Sequence, residues 1–245
     1  MNTGVIVLAH RRAHETEPVA EWYAERLRER GRKNVKVAYH DGSPGVEEVL
    51  REIRVPGVNN TMVVLPLLIS EGDLSTWVLP KGIGMPDNSC SYTYITGTHI
   101  AIRFSTTFGR SDALSEALME RLSEVDAERT DGILLLYRGS RFKTVKETFL
   151  KHAGYLSEHG YPLIECNSLR YSDVPVSESL ESLKERGAGR IVVLPLFLYD
   201  GKSVRETIPK EIEKSSNGIP VICTRHLGCD ERLLDDLDRK IPEDW

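Results

Sequence analysis

Cysteine is scarce in this sequence, with only four among 245 residues. They are Cys90, Cys166, Cys223 and Cys229, and their spacing is typical of neither a disulfide framework nor a zinc site. We therefore expect reduced thiols and a cytoplasmic protein. Cys223 and Cys229 leave open a shared metal, although cysteine is often simply a small buried hydrophobic residue.

Long apolar runs and an excess of positive charge are also absent. No stretch reaches the roughly 20 apolar residues that a membrane-spanning helix needs, so we expect no membrane partner. Charge begins at His10, Arg11 and Arg12 after one short apolar run, so we expect no signal peptide. The formal net charge of -5 argues against a general nucleic-acid-binding protein. No Gly-rich phosphate loop is present, so an α/β enzyme that acts on a phosphorylated ligand is the lowest-ranked functional hypothesis.

What the sequence does contain is one phrase that occurs twice. Residues 62–80 read MVVLPLLISEGDLSTWVLP, and residues 191–209 read IVVLPLFLYDGKSVRETIP. The match has no gaps, and Pro66, Gly72 and Pro80 each recur 129 positions later. Such a match indicates an internal duplication.

Short apolar runs alternate with amphipathic segments along both halves of the chain. Runs rich in Val, Ile and Leu are typical of strands buried on both faces of a parallel sheet. The predicted strands are residues 5–9, 35–39, 62–69, 91–95, 133–137, 163–166, 191–198 and 221–224. We predict two tandem α/β modules, residues 1–126 and 131–245, each a doubly wound, mainly parallel four-stranded sheet flanked by helices.

Ligands of such sheets bind beyond the carboxyl ends of the strands, so the loops that follow the strands are the candidate sites. In the first module these loops carry His10, Arg11, Arg12, Glu71 and Asp73, and in the second Arg138, Ser140, Arg141, Lys202, Ser203 and Arg205. His99 and His226 are predicted to end the fourth strands. Imidazole and carboxylate groups suit a divalent first-row metal, and guanidinium groups suit a ligand that carries carboxylates.

Two of these segments resemble a known enzyme family. LLLYRGSR, residues 134–141, and VVLPLFLYDGKSVRETIP, residues 192–209, are similar to the strand–H-G-S-R and V-V-P-L-F-L-x-x-G-x-H patterns of sirohydrochlorin cobaltochelatases of the CbiX type. Two such modules in tandem would cover nearly the whole chain. The resemblance implies insertion of a divalent metal (Co, Ni or Fe) as substrate into a carboxylated tetrapyrrole, without an organic cofactor.

The metal-site histidines of that family are matched only in part. The first family histidine falls on His10 and on Arg138, and the second falls on Leu74 and on Ser203. In the family, two histidines are thought to bind the metal and to take up the pyrrole protons. The resemblance therefore implies that His10 carries much of this chemistry, since it is the one family histidine that remains.

Two functional hypotheses follow from the loops and the resemblance. In the first, the protein is a chelatase; in the second, it is a non-catalytic protein that kept the fold and binds a tetrapyrrole or another anionic ligand. For a chelatase, the predicted catalytic residues are His10, Glu71 and His99, and the predicted metal ligands are His10 and Asp73. The predicted substrate-binding residues are Arg11, Arg12, Arg138, Ser140, Arg141, Lys202, Ser203 and Arg205. A monomer or a homodimer is expected, and no role is assigned to Trp245.

Overall fold

The computed structural model describes residues 2–11, 13–72, 74–82, 85, 91–95, 98–216 and 218–243. Four residues named above, Arg12, Asp73, Cys90 and Trp245, lie outside these ranges. Strands and helices alternate along the chain, which confirms the predicted α/β class. None of the described helices is long and apolar enough to cross a membrane.

Nine strands form two separate sheets within the described ranges. The strands are β1 (Asn2–Arg11), β2 (Val35–Asp41), β3 (Asn60–Pro66), β4 (Ser91–Ile95), β5 (Thr98–Phe104), β6 (Gly132–Tyr137), β7 (Ile164–Ser168), β8 (Ile191–Pro195) and β9 (Val221–Cys223). The first sheet has the order β2-β1-β3-β5-β4, and the second has the order β7-β6-β8-β9. Every pair is parallel except β4 with β5, so each sheet contains four parallel strands as predicted.

Eight α-helices connect these strands in the described part of the chain. They are α1 (Glu17–Glu29), α2 (Val46–Ile53), α3 (Leu79–Gly82), α4 (Asp112–Ser123), α5 (Lys143–Glu158), α6 (Val176–Glu185), α7 (Ile208–Ser215) and α8 (Glu231–Arg239). Two π-helical turns, Leu74–Val78 and Ser203–Thr207, lie at equivalent places in the repeated phrase. Their displacement is again 129 residues, so the duplication extends to an uncommon backbone feature.

The fourth parallel strand of the first sheet is not the predicted one. Residues 91–95 were expected to fill this place, but they form the antiparallel edge strand β4, and β5 pairs with β3 instead. In β5, buried Ile100 and Ile102 alternate with the more accessible Ala101 and Arg103. This period of two is typical of a half-buried strand and differs from the unbroken apolar runs by which the other strands were found.

Packing divides the chain into two compact units that differ from the predicted sequence modules. Unit 1 comprises residues 1–110 together with residues 231–245, and unit 2 comprises residues 111–230. Unit 1 therefore contains α8, whereas α4 belongs to unit 2. The module boundaries 1–126 and 131–245 remain a prediction about the repeated sequence, because the packing of the final helices follows a different division.

The helix α8 is held in unit 1 by apolar packing and by ion pairs to the end of α1. Leu233, Leu234 and Leu237 are fully buried. In addition, three arginines bind three carboxylates at 2.7 Å each, namely Arg26 with Glu231, Arg30 with Asp235 and Arg32 with Asp238. Pairs on a partly exposed surface contribute little individually, so the leucines supply most of the stabilisation.

Candidate functional site at the carboxyl edges of the two sheets

At the carboxyl edge of the unit 1 sheet, two histidines end neighbouring strands. Because β1 and β2 are parallel and Arg11 pairs with Asp41, His10 lies beside His40. Their ring centroids are 6.0 Å apart, and both side chains are exposed. One residue further on, Arg11 Nε donates to Asp41 Oδ2 at 3.0 Å.

This pair is suited to a divalent metal and to proton transfer. Neutral imidazole is a common ligand of Co, Ni and Fe, and a metal–nitrogen bond of about 2.1 Å places the metal between two rings that are a few ångströms apart. Alignment with the family motif is sufficient to identify His10 from the sequence. The strand register places His40 directly beside His10, a pairing that no sequence motif indicates.

Glu71, the predicted catalytic carboxylate of unit 1, follows β3 in the same region of the sheet. Its Oε2 accepts a hydrogen bond from Arg110 Nη2 at 2.5 Å, and its side chain is 18% exposed against 68% for Arg110. A catalytic role for Glu71 remains a prediction.

The predicted position of His99 is wrong. His99 was expected to end a strand at the carboxyl edge, but it lies at the start of β5, one residue before Ile100. Because Ile100 and Asn2 both pair with Asn60, this end of β5 is at the amino edge of the sheet. At about 3.3 Å per residue, His99 is roughly 30 Å from His10 along the strand direction, so the two do not share a site.

At the carboxyl edge of unit 2, the loop after β6 presents cations. Arg138 and Arg141 are exposed, and half-buried Ser140 accepts a hydrogen bond at its Oγ from the backbone amide of Phe142 (3.2 Å) just before α5. Gly139 has a φ of +88°, and a Cβ at this position would lie 1.8 Å from the carbonyl oxygen of Arg170. The glycine therefore lets this loop contact the loop that follows β7.

The loop after β8 carries the remaining predicted substrate-binding residues. Lys202 and Arg205 are exposed and Ser203 is half-buried, and the π-helical turn begins at Ser203. The equivalent turn of unit 1 begins at Leu74. Both positions aligned with the second family histidine thus start the same turn, and neither carries a metal-binding side chain. No group of three or more His, Cys, Asp or Glu side chains that could hold a metal occurs among the described residues.

His226 follows β9 at this edge, as predicted, and is half-buried. Burial lowers the pKa of its imidazole; the carboxylate of Asp200 opposes this shift, and the cations Arg225 and Arg121 reinforce it. His226 is consequently neutral at physiological pH. A neutral ring can accept a proton, but the structure brings no second histidine to this edge within the described ranges.

The depressed pKa of His226 predicts a loss of stability in acid. The unfolded chain binds the imidazole proton with a pKa near 6.5, above the folded value, so the free energy of unfolding falls as the pH drops below about 6.5. The fall continues until the pH passes the folded pKa and then levels off. Urea denaturation at several pH values between 5 and 8 measures this change in the free energy of unfolding. His226→Gln is expected to flatten the dependence of the free energy of unfolding on pH. Equal slopes for wild type and His226→Gln would contradict this assignment.

Comparison with known proteins agrees with this arrangement of two similar sheets. A family model described as CbiX matches residues 4–125 and matches again over residues 132–244. The chain belongs to the CbiX family. A sirohydrochlorin cobaltochelatase of Sulfolobus acidocaldarius is 33% identical over 109 residues, which are 44% of this chain and 88% of that protein. One from Saccharolobus solfataricus is 31% identical over 123 residues, with 46% and 95% covered.

Two solved structures share the fold over nearly the full length of the chain. SirB from Bacillus subtilis with Fe3+ superposes with a TM-score of 0.78 at 16% identity, covering 98% of this chain and 94% of SirB. CbiX, described as the terminal enzyme for siroheme biosynthesis in denitrifying bacteria, gives a TM-score of 0.68 at 15% identity, covering 98% and 100%. The tandem chelatase-like fold predicted from the sequence is thereby confirmed.

Proposed function

We propose that this CbiX-family protein inserts a divalent first-row metal into sirohydrochlorin or a related carboxylated tetrapyrrole. The observation that carries the proposal is the pair His10 and His40, which ends two adjacent parallel strands with ring centroids 6.0 Å apart. The names of the relatives point to the same reaction. Co(II) is the first metal to test, because the relatives in Sulfolobus and Saccharolobus are cobaltochelatases.

The chemistry required of the site is modest. A divalent metal replaces two N–H protons at the centre of the macrocycle, so the protein must deliver the metal and accept protons. Imidazole does both near neutral pH, and the two rings of His10 and His40 offer two such groups. Glu71 is the carboxylate proposed to assist at this edge, and Asp73 is proposed as a metal ligand with His10. We place the reaction in the cytoplasm, because Cys166, Cys223 and Cys229 are free thiols.

Charge favours a substrate with several carboxylates. The carboxyl edge of unit 2 presents the exposed cations Arg138, Arg141, Lys202 and Arg205. Guanidinium groups bind carboxylates through paired hydrogen bonds, and a sirohydrochlorin-type ring carries carboxylates around its rim. We propose that these side chains, with Ser140 and Ser203, hold the substrate, and that Arg11 and Arg12 do so at unit 1.

A second candidate function is binding without catalysis. It is favoured by Arg138, Leu74 and Ser203, which occupy three of the four positions aligned with family histidines, and by the lack of a three-ligand metal cluster among the described residues. In this case the protein would carry a tetrapyrrole or another anionic ligand and would not accelerate metallation.

Anaerobic mixing of the protein with sirohydrochlorin and Co(II), followed by absorbance, separates the two candidates. For a chelatase, the rate exceeds the spontaneous rate, and His10→Ala and His40→Ala each reduce the excess at least tenfold. His159→Ala serves as the matched control, since His159 is an exposed histidine in unit 2 that bonds only its own helix at Tyr155 O. A spectral shift on binding with no gain in rate would contradict the chelatase proposal and support the binding protein.

A further inference from the structure

The loop after β7 in unit 2 exposes an aromatic side chain in an unusual backbone conformation. Tyr171 is 62% exposed, the largest exposed fraction among the described large hydrophobic residues. Its φ is +59°, in the left-handed region that bulky residues rarely occupy. Such a conformation costs of the order of 1 kcal/mol or more and persists only where the surroundings enforce it. The ring is thus held out into solvent by the structure around it.

Hydrogen bonds of buried Asn167 hold this loop in place. Its side-chain amide donates to the carbonyl oxygen of Val174 (3.1 Å) and to Ser179 Oγ (2.8 Å). Its side-chain oxygen accepts a bond from Ser172 Oγ (2.7 Å) and another from the backbone amide of the next residue (2.6 Å). The Asn167 side chain therefore fixes both ends of the segment that carries Tyr171, and the ring is preorganised.

The neighbouring loop after β6 places a cation against the ring. The guanidinium carbon of Arg141 lies 5.8 Å from the Tyr171 ring centroid, within the range of a cation–π contact. Gly139 brings the backbones together, since the carbonyl of Arg170 occupies the space that a Cβ on Gly139 would need. One surface is thereby formed from two loops at the carboxyl edge of the sheet.

The composition of this surface is apolar at the ring and cationic around it. Phe142 and Val174, in the same two loops, are each 43% exposed. Arg138, Arg141 and Arg170 are exposed, and no carboxylate in the described part of the chain forms an ion pair with any of them. Exposed Asp173 is the one acidic residue of the loop 169–175. We call this surface the Tyr171 platform and define it by Tyr171, Phe142, Arg138, Arg141 and Arg170.

We infer that the Tyr171 platform binds the carboxylated tetrapyrrole itself, with the tyrosine ring against the face of the macrocycle and the three arginines on its rim carboxylates. This inference rests on the proposed function for the identity of the ligand. Aromatic side chains stack on flat conjugated rings, and uncompensated guanidinium groups attract carboxylates. Tyr171 is thus a substrate-positioning residue that no sequence motif indicates.

A second copy of the protein fits the platform less well. A stable interface between proteins uses roughly 20–30 residues on each side, whereas the platform offers only the exposed rings of Tyr171 and Phe142 among like charges. Its positive charge would also repel the same surface of another copy. A flat polyanion satisfies both the ring and the arginines.

Binding of metal-free sirohydrochlorin, measured anaerobically through its ring fluorescence, tests the platform without metal chemistry. Tyr171→Gly removes the ring and also relieves the left-handed backbone, so the variant remains folded; its Kd is expected to rise about tenfold. Tyr171→Phe keeps the ring and should bind within about twofold of wild type. Arg141→Ala should weaken binding about threefold to tenfold, and less so at high salt, where screening already reduces attraction. Val58→Ala, which trims an exposed side chain beside the amino end of β3, is the control and should bind normally.

Unchanged binding in Tyr171→Gly would overturn the inference, as would no binding by the wild-type protein. A Tyr171→Gly variant that binds normally but loses concentration-dependent self-association in sedimentation would overturn it in favour of a second copy. If Tyr171→Gly weakens binding while the wild type fails to accelerate metallation, the platform stands and the proposed chelatase activity fails. If Tyr171→Gly binds normally while His10→Ala abolishes metallation, the platform fails and the chelatase stands.

Discussion

Replacing Gly139 by alanine is expected to destabilise the protein by about 3 kcal/mol. The backbone at Gly139 has a φ of +88°, which costs a residue with a Cβ roughly 1–3 kcal/mol. The new methyl group would also lie 1.8 Å from the carbonyl oxygen of Arg170, so two backbone segments must separate. Overpacking of this kind costs a further 1–3 kcal/mol or so. Because the obstacle is main chain, no rotamer change can relieve the clash.

Urea denaturation of Gly139→Ala beside Gly154→Ala measures this effect with a matched control. Gly154 lies within α5, and a Cβ there meets nothing within 4 Å, so its substitution should stabilise the protein by up to about 1 kcal/mol. The two alanines are thus expected to act in opposite directions. If both alanines change the free energy of unfolding in the same direction and by the same amount, the contact between the loops after β6 and β7 is looser than the structure indicates.

Removing the carboxylate of Asp230 is expected to cost about 3 kcal/mol or more. Asp230 Oδ2 accepts a hydrogen bond from Arg121 Nη2 at 2.7 Å, and their side chains are only 3% and 1% exposed. Arg121 also pairs with Glu124 and donates to the carbonyl oxygen of Leu227. Burial lowers the pKa of Arg121, which shows that its charge is poorly solvated. Asp230→Ala leaves that charge without its buried partner, the situation in which a broken ion pair is most costly.

Two further variants distinguish the stability cost of an unpaired buried charge from the cost of a lost contact. In Arg121→Met with Asp230→Leu both charges are gone, so much of the stability is expected to return. Glu47→Ala breaks a 2.5 Å pair with Arg51 in which both side chains are more than half exposed, and it should cost less than about 0.5 kcal/mol. Chemical denaturation of all four proteins gives the comparison. A double variant as unstable as Asp230→Ala would indicate that packing, rather than charge, dominates at this position.

The fold could be predicted largely because its central strands are buried on both faces. Strands such as β1, β3, β6 and β8 appear as apolar runs, and the repeated phrase shows that the second half follows the first. The strand β5 escaped detection because Arg103 interrupts its apolar residues. Placing His99 correctly required knowing that strand, since the same residue lies at opposite edges of the sheet depending on whether it ends one strand or begins the next.

The residues of the candidate site that belong to a sequence motif could be predicted. Those that the pairing of strands or the packing of loops brings to the site could not. His10 and Arg138 follow apolar strands and align with the first family histidine, so their edge was predicted. His40 joins the site because β1 and β2 are parallel and aligned, and a single sequence does not contain that pairing. Tyr171 is exposed because Asn167 and Gly139 shape two loops that are about 30 residues apart in sequence. Contacts of this kind depend on tertiary packing, which local patterns do not encode.

The division of helices between the units has a consequence for how the protein is made. Unit 1 includes α8, which lies after the whole of unit 2 in the chain. A ribosome therefore finishes the first sheet long before it supplies the helix that covers part of unit 1, and unit 2 can be completed in the interval. Until α8 is made, nascent unit 1 lacks Leu233, Leu234 and Leu237, the buried leucines that complete its packing.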